Sequence, residues 1–245
     1  MDGRDGFVEP VEEALSKIHA GHILDVATGS GGFITFLLDN LGDFKEITGI
    51  DYNQRPLDAA RKAFIRDNIH FLQMDAAQIE FPDDHFDMVC IANSLHHMED
   101  LPGVLSEMQR VCKPGGLFII SEMYRDRQAD TQHTHVDLHH WWAAVDTAEG
   151  ILHHETYTRR DIVAITEKLD LKSRRYYDLK DLETNPMDPE LIQDLDGIID
   201  QYLHRAVRLK GGTELQQRGE SLRQRLHQVG FHGATSLFMI GKKLS

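Results

Sequence analysis

Three aspartates, Asp25, Asp51 and Asp75, lie within or directly after short apolar runs in the first third of the chain. Apolar runs without alternation are typical of parallel strands that are buried on both faces. In an open sheet of such strands, ligands bind at the edge formed by the carboxyl ends. Asp51 also follows a glycine-rich turn by about twenty residues, the spacing of a carboxylate that hydrogen-bonds both hydroxyls of a ribose. We therefore expect a nucleoside-binding edge.

The glycine-rich turn runs from Ala27 to Gly32 and lies between an apolar run and a helical pattern. Small residues let a ligand approach the backbone, and the N-terminus of the following helix offers unpaired N–H groups. Two other interpretations of the turn alone stay open. Ala27, Gly29 and Gly32 nearly satisfy the G-x-G-x-x-G pattern of dinucleotide-binding folds, and a tight strand-to-helix turn needs no ligand.

A histidine pair, His96 and His97, follows the apolar run Phe86–Ala92. Histidine titrates near neutral pH, so either residue is a candidate general base at the predicted binding edge. The alternative is that the pair only shapes the wall of a pocket. Glu122 and Tyr124, at the end of a later apolar run, are candidates for lining the same pocket, although ordinary strand-end residues have the same pattern.

A histidine-rich segment from residue 124 to residue 157 interrupts the alternation of strands and helices. Its central part has helical periodicity, with one apolar stripe suited to packing. A neighbouring stripe, spaced i, i+4, i+7 and i+11, contains His135, His139, Trp142 and Asp146. We expect this segment to be a lid whose stripe faces an acceptor molecule. A solvated or core-packed helix is the second interpretation.

A divalent metal site is the third interpretation of the stripe, because His135 and His139 are one helical turn apart. Further candidate ligands are His133, Asp146, His153 and His154. The spacing lacks both the glutamate of an H-E-x-x-H motif and a cysteine set. We therefore expect no bound metal.

Strand-like runs and helical patterns alternate along the rest of the chain. Strands are predicted at His22–Val26, Glu46–Ile50, Ile69–Met74, Phe86–Ala92, Leu117–Glu122, Lys172–Tyr177 and Ala234–Gly241. Helices are predicted at Val8–His19, Phe33–Leu41, Arg55–Asp67, Leu101–Cys112 and Arg159–Leu169, and within Pro189–Leu209 and Thr213–Val229. This order is typical of a parallel sheet covered by helices on both faces. The predicted fold class is α/β, with a doubly wound, Rossmann-like sheet.

Composition places the chain among globular proteins, with 245 residues, 41% apolar and 27% charged. The formal net charge of −14 opposes approach to phosphate, so we expect neither a nucleic acid nor a membrane partner. Two cysteines cannot form a disulfide framework, and no apolar run approaches the length of a membrane span. The N-terminus shows no signal-peptide pattern, and we expect a cytoplasmic monomer or homodimer.

The region Ile23–Glu122 resembles the class I S-adenosylmethionine-dependent methyltransferases, especially the small-molecule group. The resemblance includes the Lys113–Gly116 turn. The C-terminal strand also resembles the antiparallel strand that closes the sheet of that family. The resemblance implies a seven-stranded, mostly parallel sheet with an antiparallel C-terminal strand. Chain length and the interrupted alternation predict one domain over residues 1–245, with the lid at residues 124–157 inserted in it.

The same resemblance implies roles for individual residues around the cofactor S-adenosylmethionine. Asp25, Gly29 and Gly31 would hold its methionine end, and Asn93 would lie beside that end. Asp51 would bind the ribose, Tyr52 would flank the adenine, and Asp75 and Ala76 would lie at the adenine amino edge. Ala27 stands where the family has its first glycine, and we expect a slightly shifted loop.

The expected activity is transfer of a methyl group to a small-molecule acceptor by in-line displacement, with His96 or His97 as a base. The sequence leaves open whether the acceptor atom is oxygen, nitrogen, sulfur or carbon. A non-catalytic protein that binds S-adenosylmethionine on the same fold is the alternative. An NAD(P)-dependent oxidoreductase is a further alternative, against which stand Asp25, Asp75 and the Lys113–Gly116 turn.

Overall fold

A computed structural model describes residues 10–244 of the chain. The strands in this range are β1 (His19–Val26), β2 (Asp43–Asp51), β3 (Ile69–Gln73), β4 (Phe86–Ala92), β5 (Cys112–Met123), β6 (Leu171–Leu179) and β7 (Ser236–Lys243). The helices are α1 (Val11–Ser16), α2 (Gly32–Asn40), α3 (Gln54–Ala63), α4 (Leu101–Val111), α5 (Asp130–Ala148), α6 (Arg159–Glu167), α7 (Pro189–Ala206) and α8 (Gly212–Val229). A 3-10 turn covers Leu95–His97.

The strands within residues 10–244 form one seven-stranded sheet in the order β3-β2-β1-β4-β5-β7-β6. Strands β1 to β5 pair in parallel, whereas β7 is antiparallel to both β5 and β6. The strand order reverses between β1 and β4, because β2 lies on the other side of β1. A crevice opens at such a reversal point, beyond the carboxyl ends of the two strands. The predicted fold class is confirmed.

Side chains at strand centres explain why the sheet forms. Ile23, Leu24 and Val26 of β1 are fully buried, as expected for a central strand with helices on both faces. One apolar cluster packs beneath α4 and α6, and a second packs beneath α1, α2 and α3. The two clusters hold the carboxyl ends of β1, β2 and β4 in fixed register.

A third apolar cluster joins α5 to α7 and α8. Leu138, Trp141 and Val145 of α5 are fully buried against residues of the two later helices. The indole Nε1 of Trp141 donates a hydrogen bond of 2.8 Å to the carbonyl of Leu215. Helix α5 therefore packs by its predicted apolar stripe, and its partners are the helices near the end of the chain.

The ends of several elements differ from the sequence predictions. Helix α1 ends at Ser16 because His19 already pairs with Asp43 in the sheet, and the predicted start at Val8 lies outside the described residues. Strand β5 begins at Cys112, five residues early, because Cys112 pairs with Phe86 across a register shift. No helix between residues 10 and 244 is both long and apolar enough to cross a membrane.

Candidate functional site

The turn after β1 has the left-handed backbone that its small residues predict. Ala27, Gly29 and Gly31 have φ angles of 55°, 55° and 88°. A β-carbon on Gly31 would lie 2.5 Å from the ring of Phe64, so the close packing requires glycine there. A β-carbon on Gly29 would have no described heavy atom within 4 Å, which leaves room for a ligand against the backbone. Ala27 is the strained residue, since a non-glycine left-handed conformation costs about 1–2 kcal/mol.

Asp51, at the end of β2, is joined to this turn by a hydrogen bond. The Gly29 N–H donates to Asp51 Oδ2 over 2.9 Å, and the Asn53 N–H donates to Asp51 Oδ1 over 2.8 Å. The carboxylate is only half-buried, so it keeps acceptor capacity toward the cleft. Tyr52 follows it with 72% of its surface exposed. The structure thus brings together the glycine turn and the acid that sequence spacing paired.

Asp25, on β1, is almost fully buried beneath the turn. The hydroxyl of Thr28 donates to Asp25 Oδ2 over 2.6 Å, and the Cys90 thiol donates to Asp25 Oδ1 over 3.6 Å. Burial raises the pKa of Asp25 to about 7, a shift that the two hydrogen bonds only partly offset. A cationic group placed beside this carboxyl would favour its ionised form.

A cavity of about 440 Å³ opens above these residues. Its wall comprises Asp25, Ala27, Thr28, Gly29, Ser30, Gly32, Phe33, Phe36, Ala92, Asn93, Ser94, Ser121, Leu179 and Ser236. Asn93 has a φ of 46°, and its Oδ1 accepts a hydrogen bond from the Met123 N–H over 3.0 Å. The cavity therefore lies at the reversal point of the sheet, between the ends of β1 and β4.

Asp75 and Ala76 follow β3 at the same edge of the sheet. The Met74 N–H donates to the Asp51 carbonyl over 3.0 Å, which places the two acidic positions on neighbouring strand ends. Asp75 is exposed, and its Oδ1 accepts a hydrogen bond from the Ala77 N–H over 2.9 Å. Ala76 packs against the core beneath α4. Both residues lie beyond Asp51 as seen from the glycine turn.

The 3-10 turn after β4 is fixed by Glu122 of β5, which has no exposed surface. Glu122 Oε2 accepts hydrogen bonds of 3.0 Å from the N–H groups of Ser94 and Leu95. Its Oε1 lies 2.5 Å from Nδ1 of His96, which is also inaccessible. Glu122 therefore lies behind His96 and has no exposed surface with which to line an acceptor pocket, contrary to the prediction from the sequence.

Four imidazoles from three segments meet beside this turn. His96 and His97 come from the turn, His139 from α5, and His153 from the loop after α5. One ring nitrogen of each lies within 4.8 Å of those of the other three. The His154 N–H donates to the His96 carbonyl over 3.0 Å and holds the loop against the turn. We call this group the histidine cluster.

The surroundings of the histidine cluster oppose protonation of two of its members. Burial, together with the imidazoles of His96 and His153, lowers the pKa of His97 to about 3. Burial and the neighbouring imidazoles lower the pKa of His139 to about 2. A general base works best when its pKa is near the working pH. These values count against His97 as a base, and the lack of exposed surface counts against His96.

The predicted lid stripe divides into two parts. His139 belongs to the histidine cluster, and the ring centroid of Trp142 lies 6.0 Å from that of His139. His135 is turned away: its Nδ1 accepts a hydrogen bond of 2.8 Å from the Ala234 N–H, and its ring packs against Phe231. Burial lowers the pKa of His135 to about 4. Two of the four predicted lid residues, His139 and Trp142, therefore lie at the histidine cluster, and neither lines the cavity.

Asp146 and Tyr124, two further predicted pocket residues, are held by protein partners. Asp146 Oδ2 lies 2.7 Å from His153 Nδ1, and Asp146 Oδ1 accepts a hydrogen bond of 2.5 Å from Arg205. The Tyr124 hydroxyl donates to Asp178 over 3.3 Å, and the ring is buried. The sequence predicts His153 only as one of several alternative metal ligands. His153 and His154 form a second histidine pair, but no sequence pattern indicates that His153 lies beside His96.

Comparison with known proteins agrees with this geometry. The profile of a family described as a methyltransferase domain matches residues 24–120. A 2-phytyl-1,4-naphthoquinone methyltransferase of Synechococcus elongatus is 36% identical over 107 residues, 42% of this chain and 46% of that protein. The ubiquinone/menaquinone biosynthesis C-methyltransferase UbiE of Pseudomonas fluorescens is 32% identical over 120 residues, 47% of each chain. The matched region thus spans about half the length of these relatives.

A solved structure extends the likeness of fold over nearly the whole chain. Phosphoethanolamine N-methyltransferase 2 of Haemonchus contortus, in complex with S-adenosyl-L-methionine, superposes with a TM-score of 0.56 at 17% identity. The superposition covers 98% of this chain and 55% of that one. Residues 24–120 therefore match a methyltransferase domain, and the chain has the fold of the class I S-adenosylmethionine-dependent methyltransferases.

Proposed function

We propose that the protein transfers a methyl group from S-adenosylmethionine to a small-molecule acceptor. One observation carries the proposal: a buried carboxyl and an open glycine turn line one crevice at the reversal point of the sheet, and a strand-end acid is hydrogen-bonded to that turn. This crevice lies within the residues that match a methyltransferase domain. The match ends at residue 120, before α5, so it supports the cofactor and says nothing of the acceptor.

The residues around the cavity fit the two ends of this cofactor. Asp25 is a buried carboxyl with a raised pKa, and a neighbouring ammonium group would favour its ionised form. The open space above Gly29 admits a chain against the backbone. Asp51 presents a half-buried carboxylate to a ribose, and the exposed ring of Tyr52 offers a face for adenine. Asn93 lies at the methionine side, and Asp75 and Ala76 at the adenine side.

Methyl transfer depends mainly on how the protein positions the cofactor and the acceptor. When bound, S-adenosylmethionine supplies a methyl group on a positively charged sulfur, an electrophile that needs no further activation. The walls of the crevice hold the reacting partners in line and exclude water, an effect that can supply about 7–11 kcal/mol. We propose that α5, which places His139 beside the turn after β4, forms the cover under which the acceptor binds. A general base increases the rate by about 10²–10⁴-fold where the acceptor atom must lose a proton.

The acceptor is proposed by class only, as a small organic molecule. Quinone C-methyltransferases among the relatives make naphthoquinols the first compounds to test, and an amine series is the second. Isothermal titration with S-adenosylmethionine and S-adenosylhomocysteine tests binding, and release of S-adenosylhomocysteine with a panel of acceptors tests transfer. Binding without release in any series would favour the non-catalytic alternative. Binding of NADH in place of the sulfonium would contradict the proposal.

A further inference from the structure

Several ring nitrogens of the histidine cluster lack the hydrogen bonds that buried polar atoms normally make. His96 Nε2, His139 Nδ1 and His153 Nε2 are buried and have no hydrogen-bond partner among the described residues. Buried polar atoms nearly always have a partner, and an exception needs an explanation. Here three exceptions occur in a single cluster whose ring nitrogens lie within 4.8 Å of one another. A shared ligand that accepts lone pairs would satisfy all three at once.

Two carboxylates orient the rings of the cluster. Glu122 Oε1 lies 2.5 Å from His96 Nδ1, and Asp146 Oδ2 lies 2.7 Å from His153 Nδ1. A carboxylate at Nδ1 holds the proton on that atom and leaves the lone pair of the neutral ring on Nε2. In metal sites, ligating histidines almost always donate their other N–H to a carboxylate or carbonyl in this way.

Arg205 fixes one of these carboxylates in turn. Its guanidinium donates to Asp146 Oδ1 over 2.5 Å and to Glu149 Oε2 over 2.6 Å. Both carboxylate oxygens of Asp146 are therefore engaged by protein partners, Oδ1 by Arg205 and Oδ2 by the ring of His153.

We propose that His96, His97, His139 and His153 bind one first-row divalent transition metal ion. Imidazole is a preferred ligand of Zn²⁺, Cu²⁺, Fe²⁺ and Ni²⁺, whereas Mg²⁺ and Ca²⁺ prefer oxygen. The ligating atoms are nitrogens alone, because Glu122 and Asp146 are already engaged with the far side of the rings. The site reverses the sequence expectation that the protein has no metal, and it goes beyond the proposed methyl transfer.

The spacing of the ring nitrogens is close to that of the ligands around a bound ion. A Zn–N distance of about 2.0–2.1 Å places tetrahedral nitrogens roughly 3.3–3.4 Å apart. The nitrogens here lie within 4.8 Å, so ion binding requires the rings to approach by about an ångström. His97 is exposed whereas His96 and His153 are buried, which gives an ion an entry path.

The test is metal binding by protein without an affinity tag, freed of metal by a chelator. We expect isothermal titration with Zn²⁺ at pH 7.5 to give one ion per chain, with no need for S-adenosylmethionine. Co²⁺ should give the visible absorption bands of nitrogen coordination without a thiolate charge-transfer band. His139→Ala and His153→Ala should each weaken Zn²⁺ binding at least about 100-fold, because each removes a ligand.

The matched control is His133→Ala, since His133 is on the same helix but outside the cluster. This variant should bind Zn²⁺ as the wild type does. Folding of each variant is checked by circular dichroism, and the wild-type Co²⁺ spectrum decides the matter if a variant does not fold. The proposal is overturned if the wild type binds no stoichiometric ion, or if His139→Ala and His153→Ala bind as tightly as His133→Ala. Because none of these readouts involves methyl transfer, failure of the proposed function would leave them unaffected.

Discussion

Glu122 Oε1 lies 2.5 Å from Nδ1 of His96, and neither side chain has any exposed surface. The other oxygen of the same carboxylate accepts hydrogen bonds from the N–H groups of Ser94 and Leu95. A single side chain on β5 thus fixes both the turn after β4 and the orientation of an imidazole. Ser94 also lines the cavity, so this arrangement connects the cofactor crevice to the histidine cluster.

Glu122→Gln should lower the free energy of unfolding by about 1.5–3 kcal/mol, the contribution of a hydrogen bond to a charged group. Glutamine keeps an acceptor for the turn but removes the charge that holds the imidazole N–H. Urea denaturation measures the change, and the exposed Glu99→Gln is the control, with a change within about 0.5 kcal/mol. Equal changes in the two variants would contradict the role of Glu122.

Asp51→Ala should weaken S-adenosylmethionine binding at least about 10-fold, since one hydrogen bond to a charged group contributes about 1.5–3 kcal/mol. The variant also loses the hydrogen bond that holds Gly29. Isothermal titration measures the affinity. Asp43→Ala, at the opposite end of β2, is the control and should bind as the wild type does. An Asp51→Ala affinity within twofold of wild type would remove Asp51 from the site.

Asp25 should make the ligand-free protein less stable as pH rises from about 4 to about 7. Its pKa is raised from 3.8 to about 7 in the folded protein, so the folded state keeps a proton that the unfolded state releases. The stabilisation is complete below the unfolded pKa and is lost as the pH passes the folded one. One pKa unit corresponds to about 1.4 kcal/mol, so a shift from 3.8 to about 7 gives about 4 kcal/mol in total.

The measurement is urea denaturation of wild type and Asp25→Asn at several pH values. Asparagine has the same shape and no charge, so subtraction isolates the titration of residue 25 from that of the other carboxyls. The stability of the variant relative to wild type should rise between pH 4 and 7 and level off above pH 8. A difference that does not change with pH would show that Asp25 is ionised in the folded protein throughout.

Ala27→Gly should raise the free energy of unfolding by about 0.5–1 kcal/mol. Glycine removes the left-handed strain of about 1–2 kcal/mol, part of which is offset by the greater freedom of the unfolded chain. Ala59→Gly, at an exposed position inside α3, is the control and should destabilise by about 0.5–1 kcal/mol. Thermal and urea denaturation of both variants measure the two changes in the free energy of unfolding, which should have opposite signs. The same sign in both would argue against strain at Ala27.

Asp146→Asn should weaken Zn²⁺ binding by about 10–100-fold, the usual effect of removing a carboxylate behind a histidine ligand. The amide cannot hold the proton on His153 Nδ1 as the carboxylate does. Asp137→Asn, on the same helix and outside the cluster, is the matched variant and should leave the affinity unchanged. Isothermal titration compares the two. Identical affinities would mean that Asp146 serves only its ion pair with Arg205.

Local patterns were enough to predict the sheet and one pair of site residues. Buried strands β1, β2 and β4 are visible as apolar runs, and the spacing of Gly29 and Asp51 predicts that they meet. The structure joins them by a hydrogen bond of 2.9 Å. These predictions depend on the rule that the carboxyl ends of parallel strands meet at one edge of the sheet. That rule needs only the order of the strands, which a single sequence provides.

The histidine cluster depends on contacts that no local pattern contains. His153 reaches His96 because the loop after α5 returns to the turn after β4, where the His154 N–H binds the His96 carbonyl. The position of that loop follows from the packing of α5 against α7 and α8, helices that come much later in the chain. The sequence therefore predicts helix α5, but not the partners of the histidines on it.

We propose that an adenosyl group binds at the carboxyl ends of β1 and β2. A crystal structure of the protein with S-adenosylhomocysteine is the most direct test. We expect the ribose hydroxyls on Asp51, with the amino-acid end in the cavity above Asp25 and Gly29. A nucleoside bound at another edge of the sheet, or no bound molecule at a saturating concentration, would contradict it.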